Sequence, residues 1–370
     1  MISPTLTTSL SIAEDLIRIH SLADRPEDLR RIVLYVEDFF RDQPQLYIKR
    51  YESGGKPSIV ISTHSAVTPT VLLLGHLDVV PAPEHLFEPV YKDSILYGRG
   101  ACDMKTEVAL MMLLMKEYAS LDKKPNVALM LTTDEEIGGH HGAEYLIHTI
   151  GYRCRVALVP DGGESMDDLI LKNKGVLHVR LSFSGKTAHG SRPWLGENAI
   201  EKMLKTLQSL KDFFPCDGNE RHWHNTASIG TITGGKATNQ VPEEAACALD
   251  IRFIEASSPS VLIEKLQQAA PDARIEIIAQ GDMSMTPVDN EYVNLYAHAL
   301  KEHTGLSPCF NESHGSNDGR FLTALGIPVL VSRPRSGGQH SPEEWLDTKE
   351  LETFKEIYNK IILQADGLLT

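Results

Sequence analysis

The chain has 370 residues, of which 42% are hydrophobic and 23% are charged. This composition is typical of soluble globular proteins and excludes a disordered chain or a small disulfide-knit module, while the length favours two domains or one domain with an insertion. Asp and Glu number 50 against 36 Lys and Arg, giving a net charge of −14 without any Lys/Arg-rich run, so nucleic acid is excluded as an expected partner.

Cysteine usage and the N-terminal sequence bear on the compartment. The five cysteines are an odd number and form no CxxC pair, as expected of reduced thiols. The first residues lack the basic and apolar regions of a signal peptide, and no apolar run reaches the roughly 18 residues of a membrane span. We therefore expect a cytoplasmic protein with no membrane partner.

Helix and strand patterns alternate through the first half of the chain. Two helical patterns come first, at 9–20 and 26–40. They are followed by a strand at 71–74, a helix at 105–118, a strand at 127–132, a helix at 142–150 and a strand at 156–159. Strands that alternate with helices predict an α/β fold with a doubly wound, mostly parallel sheet.

The pattern changes near residue 175. Strand, helix, strand, strand, helix and strand follow at 176–183, 198–213, 227–233, 245–253, 260–269 and 274–278. This βαββαβ order is the ferredoxin-like signature of a separate small domain. A helix, a strand and a closing helix then return at 293–303, 328–331 and 351–363. We expect a catalytic domain in two parts, 1–174 and 285–370, with a lid or dimerisation domain inserted at 175–284.

The strongest local signal is the segment GHLDVVP, which directly follows an apolar strand and contains His76 and Asp78. It lies at the carboxyl edge of the predicted parallel sheet, where open α/β folds bind ligands. A histidine followed two residues later by a carboxylate fits a metal ligand whose second ring nitrogen is held by an acid. Taken alone, an edge histidine and a turn aspartate would explain the same residues.

Further acids follow other strands or precede a helix. Asp103 comes after a glycine-containing segment and before a helix, where it would also serve as an N-cap. Glu135 and Glu136 end another strand within an acidic triplet, which is costly unless cations or solvent separate the charges. Asp161 ends a further strand, and His340 lies late in the chain. Together they form a mixed nitrogen and oxygen donor set suited to zinc or a similar divalent ion.

The order of these residues resembles that of the co-catalytic zinc hydrolases, the family of acetylornithine deacetylase, succinyl-diaminopimelate desuccinylase, carboxypeptidase G, aminoacylase and several dipeptidases. The motifs HLDVVP, GRGACDMK and DEE are specific in combination, and the resemblance covers nearly the whole chain. The residues that carry it are His76, Asp78, Asp103, Glu135, Glu136, Asp161 and His340.

The resemblance implies a role for each of these residues around two divalent ions, with Zn²⁺ expected and Co²⁺ or Mn²⁺ as alternatives. Asp103 would bridge the two ions, with a cis peptide bond directly after it. Glu135 would be the general base. The remaining roles are His76 and Asp161 on one ion, Glu136 and His340 on the other, and Asp78 orienting His76.

The inserted domain resembles the family in its own motifs. In the segment TAHGSRP, His189 matches a histidine that stabilises the oxyanion in the active site of a partner subunit, which implies a homodimer through this domain. Asn239 and Arg252 match substrate-holding positions, with Arg252 gripping a carboxylate, and Arg320 is a further carboxylate candidate. Taken alone, His189 would be a surface residue and Arg252 part of a strand-edge salt bridge.

These assignments predict hydrolysis of an amide bond in a small substrate that bears a carboxylate. At position 161 the deacylases and carboxypeptidases of the family usually carry glutamate, whereas its aminopeptidases and dipeptidases tend to carry aspartate. The length of 370 residues matches the compact deacylases. We therefore favour an N-acyl-amino-acid deacylase, with a metallo-exopeptidase as the alternative and a non-catalytic ligand-binding relative as a third possibility.

Overall fold

Residues 4–210, 214 and 222–369 are described by the computed structural model. Within them the chain divides into two compact units. The first unit comprises Met1–Lys172, Ser284–Ser313 and Asn317–Thr370, and the second comprises Asn173–Met283 and His314–Ser316. The second unit therefore begins two residues before the expected insertion at 175–284, ends its main segment one residue earlier, and adds a short piece near 315.

The described residues contain eight α-helices, seventeen β-strands and one π-helical turn at Tyr145–Ile150. The helices are α1 (Pro4–Ile17), α2 (Pro26–Phe39), α3 (Lys105–Ala119), α4 (Ala199–Leu210), α5 (Pro259–Ala269), α6 (Glu291–Thr304), α7 (Arg320–Thr323) and α8 (Leu351–Ala365). The strands are β1 (Tyr47–Ser53), β2 (Lys56–Ser62), β3 (Val71–His76), β4 (Val90–Lys92), β5 (Ile95–Tyr97), β6 (Val127–Thr132), β7 (Val156–Val159), β8 (Asp168–Asn173), β9 (Gly175–Ser184), β10 (Thr226–Gly234), β11 (Glu244–Phe253), β12 (Ala273–Gly281), β13 (Ser284–Met285), β14 (Cys309–Ser313), β15 (Val329–Val331), β16 (Ser336–Gly337) and β17 (Trp345–Asp347). None of the described helices combines the length and the apolar character that a membrane span requires.

A large sheet organises the first unit. Its strand order is β1-β2-β6-β3-β7-β15-β8-β13, and β14 pairs with β8. The central strands β6, β3, β7 and β15 are parallel, whereas β1 and β2 on one side and β8 on the other pair antiparallel with their neighbours. The expected α/β class with a mostly parallel sheet is confirmed, and the antiparallel flanking strands were not predicted.

Both faces of this sheet are buried. Along β3, Val71 and Leu73 join the core that includes residues of α1, α2, α3, α6 and α8, whereas Leu72 and Leu74 join the core that includes Leu146 on the other face. A strand covered on both faces reads as a continuous apolar run, and each fully buried leucine contributes about 1.5–3 kcal/mol. This burial fixes the level at which the central strands end, and with it the position of the residues that follow them.

The second unit has the element order β9-α4-β10-β11-α5-β12. Its strands form an antiparallel sheet in the order β10-β11-β9-β12, which is the arrangement expected of a ferredoxin-like fold. Alternate residues of β9, such as Val179 and Leu181, are buried in a core shared with α4 and α5. The predicted ferredoxin-like fold is confirmed as a separate small antiparallel sheet, whereas the role of this unit as a lid or dimerisation domain stays a prediction. The helix predicted at 198–213 is observed as α4, and residues 211–213 lie outside the described residues.

Candidate metal centre and active site

Parallel strands bring distant parts of the sequence to one edge of the large sheet. His76 is the last residue of β3, Glu135 and Glu136 follow its neighbour β6, and Asp161 follows its other neighbour β7. Because these strands run in the same direction, the residues at their carboxyl ends share one edge. The described structure therefore gathers at this edge the strand-end residues that the sequence singled out.

Two more residues reach the same place from outside the strands. Asp103 lies just before α3, and the peptide bond between Asp103 and Met104 is cis, as the resemblance implied. His340 lies between β16 and β17 and has a left-handed backbone with φ of 61°. Such a conformation costs a non-glycine residue about 1–2 kcal/mol, so the surrounding loop has to maintain it.

These side chains form two donor sets that share Asp103. Ligand atoms of each set lie within 4.8 Å of one another. His76 Nε2 lies 3.0 Å from Asp103 Oδ1, and His340 Nε2 lies 3.0 Å from Asp103 Oδ2 and 3.2 Å from Glu136 Oε2. The first set is His76, Asp103 and Asp161, and the second is Asp103, Glu136 and His340.

The electrostatics of the cluster favour cations. Burial, together with the charge of Asp103, raises the pKa of Asp161 to about 7. Hydrogen bonds to Asp103 and Glu136 raise the pKa of His340 to about 10. Burial favours protonated Asp103, but hydrogen bonds from His340 and His76 outweigh it and hold the pKa of Asp103 well below its usual range. Protonated histidines thus balance crowded carboxylates, and divalent ions would supply the same positive charge.

The donor chemistry of both sets fits a divalent metal ion. Each set offers one imidazole nitrogen and two carboxylates, a combination found in zinc sites and those of similar ions. His76 Nδ1 contacts the backbone oxygen of Asp78 at 2.9 Å, which leaves Nε2 directed at Asp103 and available as a ligand. The residues present are therefore suited to hold two ions that share one carboxylate.

Glu135 belongs to neither donor set, although it stands next to Glu136. Burial and the negative charge of Asp161 raise the pKa of Glu135 well above its usual range. The position of Glu135 is fixed through its backbone, because its amide nitrogen lies 3.3 Å from Asp78 Oδ1. A carboxylate that is close to both sets and is not used as a ligand can exchange protons with a water molecule or substrate there.

Asp78 has a different set of contacts from those the sequence predicted. Its carboxylate accepts the amide N–H groups of Glu135 and Glu136, over 3.3 and 3.1 Å. Its Oδ1 lies 3.7 Å from His76 Nδ1, which is beyond hydrogen-bonding distance, and the carbonyl oxygen of Asp78 makes the close contact instead. Asp78 therefore orients His76 through its backbone and the turn at 135–136 through its side chain.

Comparison with known proteins identifies the family. Residues 72–364 match the sequence profile of Peptidase family M20/M25/M40. The chain belongs to this family. A succinyl-diaminopimelate desuccinylase from Acinetobacter baylyi is 32% identical over 80% of this chain and 83% of that protein. A succinyl-diaminopimelate desuccinylase from Marinobacter nauticus is 26% identical over 97% of this chain and 99% of that protein.

Solved structures of the M20 family share the fold. A tripeptidase from Staphylococcus aureus superimposes with a TM-score of 0.81 at 21% identity, covering 98% of this chain and 99% of that chain. A dinuclear metal-binding peptidase of the M20 family from Bacillus subtilis superimposes with a TM-score of 0.71 at 14% identity, covering 99% of each chain. The family match and the desuccinylase relatives identify this M20-family chain as a hydrolase that acts on amide bonds. The two donor sets support its use of divalent metal ions.

One important residue of this M20-family site carried no sequence signal. Glu344 is fully buried and accepts the backbone N–H groups of Gly100, Cys102 and Asp103 over 2.9, 3.0 and 3.2 Å. It also forms an ion pair with the buried Arg99. Glu344 thus holds the turn that presents the shared carboxylate, yet within the segment PEEW it reads as an ordinary surface acid.

Arg320, the further candidate for binding a substrate carboxylate, is buried in the first unit. Its terminal nitrogens donate to the carbonyl oxygens of Gly138, over 2.6 Å, and Asn317, over 3.3 Å. The amide of Asn317 in turn donates to the backbone oxygen of Asp161 over 3.1 Å. These contacts link Arg320 to the backbone of two segments that carry predicted ligands. Its role toward a substrate stays a prediction.

The other three predicted site residues belong to the second unit. His189 and Asn239 are exposed. Their loops are adjacent, since the N–H of Gly190 donates to the backbone oxygen of Asn239 over 2.7 Å. His189 Nδ1 lies 2.9 Å from Ser191 Oγ. Arg252 lies in β11, where Nε and Nη2 contact the two carboxylate oxygens of Asp250 at 2.8 and 3.1 Å. The structure brings His189 and Asn239 together and pairs Arg252 with an acid of its own strand.

Proposed function

We propose that this chain hydrolyses the amide bond of an N-acyl amino acid, with succinyl-diaminopimelate as the first substrate to test. The observation that carries the proposal is the pair of donor sets sharing Asp103, with the non-ligand carboxylate of Glu135 beside them. The substrate class is supported by the desuccinylases of Acinetobacter baylyi and Marinobacter nauticus, which resemble this chain over most of its length.

In this proposal the chain's own residues bind the metal ions, and Glu135 moves a proton. Two divalent ions, Zn²⁺ first and Co²⁺ or Mn²⁺ as alternatives, would polarise the amide carbonyl and lower the pKa of water. His76 and Asp161 would hold one ion, Glu136 and His340 the other, and Asp103 both. Glu135 takes a proton from the attacking water at its carboxylate and delivers it to the leaving nitrogen.

The substrate carboxylate is assigned to Arg252, with Asn239 and Arg320 as further contacts. Asp250 already occupies Nε and one terminal nitrogen of Arg252. A substrate carboxylate would therefore take the remaining terminal nitrogen or displace Asp250. Since a guanidinium binds a carboxylate best through two parallel hydrogen bonds, displacement gives the stronger contact. His189 is assigned to the oxyanion of the tetrahedral state.

A homodimer through the second unit is part of the proposal, because His189 is expected to act in the partner subunit. The support lies in β10, a nine-residue edge strand with Ile229 and Ile232 48% and 53% exposed. Long exposed edges with apolar residues readily pair with another strand. We expect Ile232→Lys to convert a dimer into a monomer in analytical ultracentrifugation, and a fully active wild-type monomer would contradict the assignment.

The alternative function is a metallo-exopeptidase. Aspartate at position 161 favours it, because the resemblance associates this residue with aminopeptidases and dipeptidases rather than with deacylases. The two functions differ in the group that precedes the scissile amide: a simple acyl group for a deacylase and an amino-acid residue for an exopeptidase, with a free amine in the case of aminopeptidases and dipeptidases. A panel of N-succinyl and N-acetyl amino acids beside dipeptides therefore separates them.

The cytoplasm is the proposed compartment. Cys102, Cys154, Cys247 and Cys309 are unpaired in the described structure. Free thiols persist where the redox environment is reducing.

The central experiment tests Glu135 with metal binding measured in parallel. Glu135→Gln keeps the shape of the side chain and removes its basicity, so we expect kcat to fall by about 10²- to 10⁴-fold while two ions per chain remain bound. Glu144→Gln, a partly exposed acid that contacts His140, is the matched control and should leave kcat unchanged. Wild-type activity in Glu135→Gln would refute the assignment of the base.

A further inference from the structure

Arg333 lies where three loops of the first unit meet. Its side chain is 5% exposed and follows β15 by two residues. Nε donates to Gly163 O over 2.7 Å, Nη1 to Cys102 O over 3.0 Å and Nη2 to Gln339 Oε1 over 3.2 Å. The planar guanidinium thus makes hydrogen bonds in three directions at once, which a lysine ammonium on a flexible stem does not reproduce.

Each of these acceptors stands within two residues of a predicted metal ligand. Gly163 follows Asp161, Cys102 precedes Asp103, and Gln339 precedes His340. Arg333 therefore connects a segment of the first donor set, the segment of the shared ligand and a segment of the second donor set.

Gln339 extends this connection to the shared carboxylate itself. Its Nε2 donates to Asp103 Oδ2 over 2.7 Å, the same oxygen that lies 3.0 Å from His340 Nε2. Because an amide has one accepting end and one donating end, the bond from Arg333 to Oε1 directs the NH₂ group toward Asp103. The order of contacts is Arg333 to Gln339 to Asp103.

We propose that Arg333 and Gln339 are positioning residues, which hold Asp103 in the orientation that serves both donor sets and thereby set the affinity for divalent ions. The inference rests on the proposed role of Asp103 as the shared ligand. Hydrogen-bond partners of metal ligands typically change affinity by about 10- to 100-fold when they are replaced. The side chains of Arg333 and Gln339 act through Asp103.

The charge of Arg333 and its hydrogen bonds have opposite effects on ion binding. Its positive charge repels a divalent cation, so removal of the charge alone would tighten binding. Its hydrogen bonds order the three ligand segments, so their removal would weaken binding. Arg333→Lys keeps the positive charge and removes the planar guanidinium with its three hydrogen bonds, whereas Arg333→Met removes both the charge and the hydrogen bonds. Weaker binding in both variants therefore identifies the hydrogen bonds as the dominant effect.

The test uses the full chain, stripped of metal with a chelator and titrated with Co²⁺ by calorimetry and visible absorption. We expect Gln339→Met and Arg333→Lys to weaken Co²⁺ binding by about 10- to 100-fold and to alter the absorption bands, which report ligand geometry. Glu343→Gln, an exposed acid of the same loop, is the control and should match the wild type.

Gln339→Met is expected to fold like the wild type, because Gln339 is exposed, whereas Arg333 is buried. Thermal unfolding of metal-free Gln339→Met should match that of the wild type, so weaker Co²⁺ binding would not reflect lost stability. Wild-type Co²⁺ affinity and absorption in Gln339→Met would overturn the inference and leave the proposed function intact. Failure of the wild type to bind two Co²⁺ ions would instead refute the proposed function, and the inference with it.

Discussion

Replacement of Glu344 is expected to destabilise the first unit strongly even when no metal is bound. Glu344→Ala leaves the guanidinium of Arg99, which is 2% exposed, without its acid partner. It also leaves the amide N–H groups of Gly100, Cys102 and Asp103 without their acceptor. Loss of one partner of a buried ion pair costs about 3–5 kcal/mol, and each unsatisfied buried donor costs about 1–3 kcal/mol.

Water entering the space left by the carboxylate would satisfy part of these groups, so we expect a net loss of roughly 4 kcal/mol in the free energy of unfolding. Glu344→Gln keeps one acceptor oxygen for the three N–H groups and loses the charge opposite Arg99. Its expected loss is about half as large, since the hydrogen bonds to the backbone are retained.

Urea unfolding of the metal-free protein, prepared with a chelator, measures this loss in the free energy of unfolding. Trp345 reports the first unit when Trp194 and Trp223, which belong to the second unit, are replaced by phenylalanine. The neighbouring Glu343→Gln, an exposed site, serves as the control and should change the free energy of unfolding by less than about 0.5 kcal/mol. A loss below about 1 kcal/mol in Glu344→Ala would refute the reasoning, because it would mean that the buried contacts of Glu344 are energetically neutral.

Three further predictions address the metal sites, the backbone and the substrate. Asp161→Asn removes a ligand from the first donor set only, so metal analysis should find one ion per chain instead of two, and retention of both would contradict the assignment. Gly139→Ala would place a Cβ atom 2.0 Å from Asp318 Oδ1 at a φ of 65°, so its melting temperature should fall further than that of Gly326→Ala, which has a φ of 75° and no neighbour within 4 Å. Arg252→Met should raise KM by about 10- to 100-fold for substrates with a carboxylate, and an unchanged KM would show that another residue binds this group.

The central strands and the residues that follow them were predictable because burial leaves a clear pattern. The predicted strands at 127–132 and 156–159 coincide with β6 and β7. Both are apolar runs buried on two faces, and each ends two residues before an acid, Asp134 after β6 and Asp161 after β7. In a parallel sheet, strand ends and ligand positions coincide, so the same pattern indicated the fold and part of the site.

The antiparallel hairpin at β1 and β2 was missed because its first strand lies at an edge. The strand YIKRYES is largely exposed, so its charged residues obscure the strand pattern. A signal was available in Gly54 and Gly55, which form the two-residue connection with φ of 53° and 76°. Two glycines between extended segments favour this type of hairpin turn, because both central residues need a positive φ.

The pairing of Asp250 with Arg252 shows what a position in a strand can and cannot predict. Residues two apart in a strand point to the same face, so LDIRF already placed these side chains next to each other. The structure shows a salt bridge, as the sequence-based alternative held, but β11 lies between β10 and β9 rather than at an edge of the sheet. It does not decide against substrate binding, because Asp250 would keep the guanidinium extended and ordered until a carboxylate replaces it. If so, Asp250→Asn should lower KM by removing the competitor, whereas a rise in KM would mean that Asp250 is needed to hold Arg252 in place.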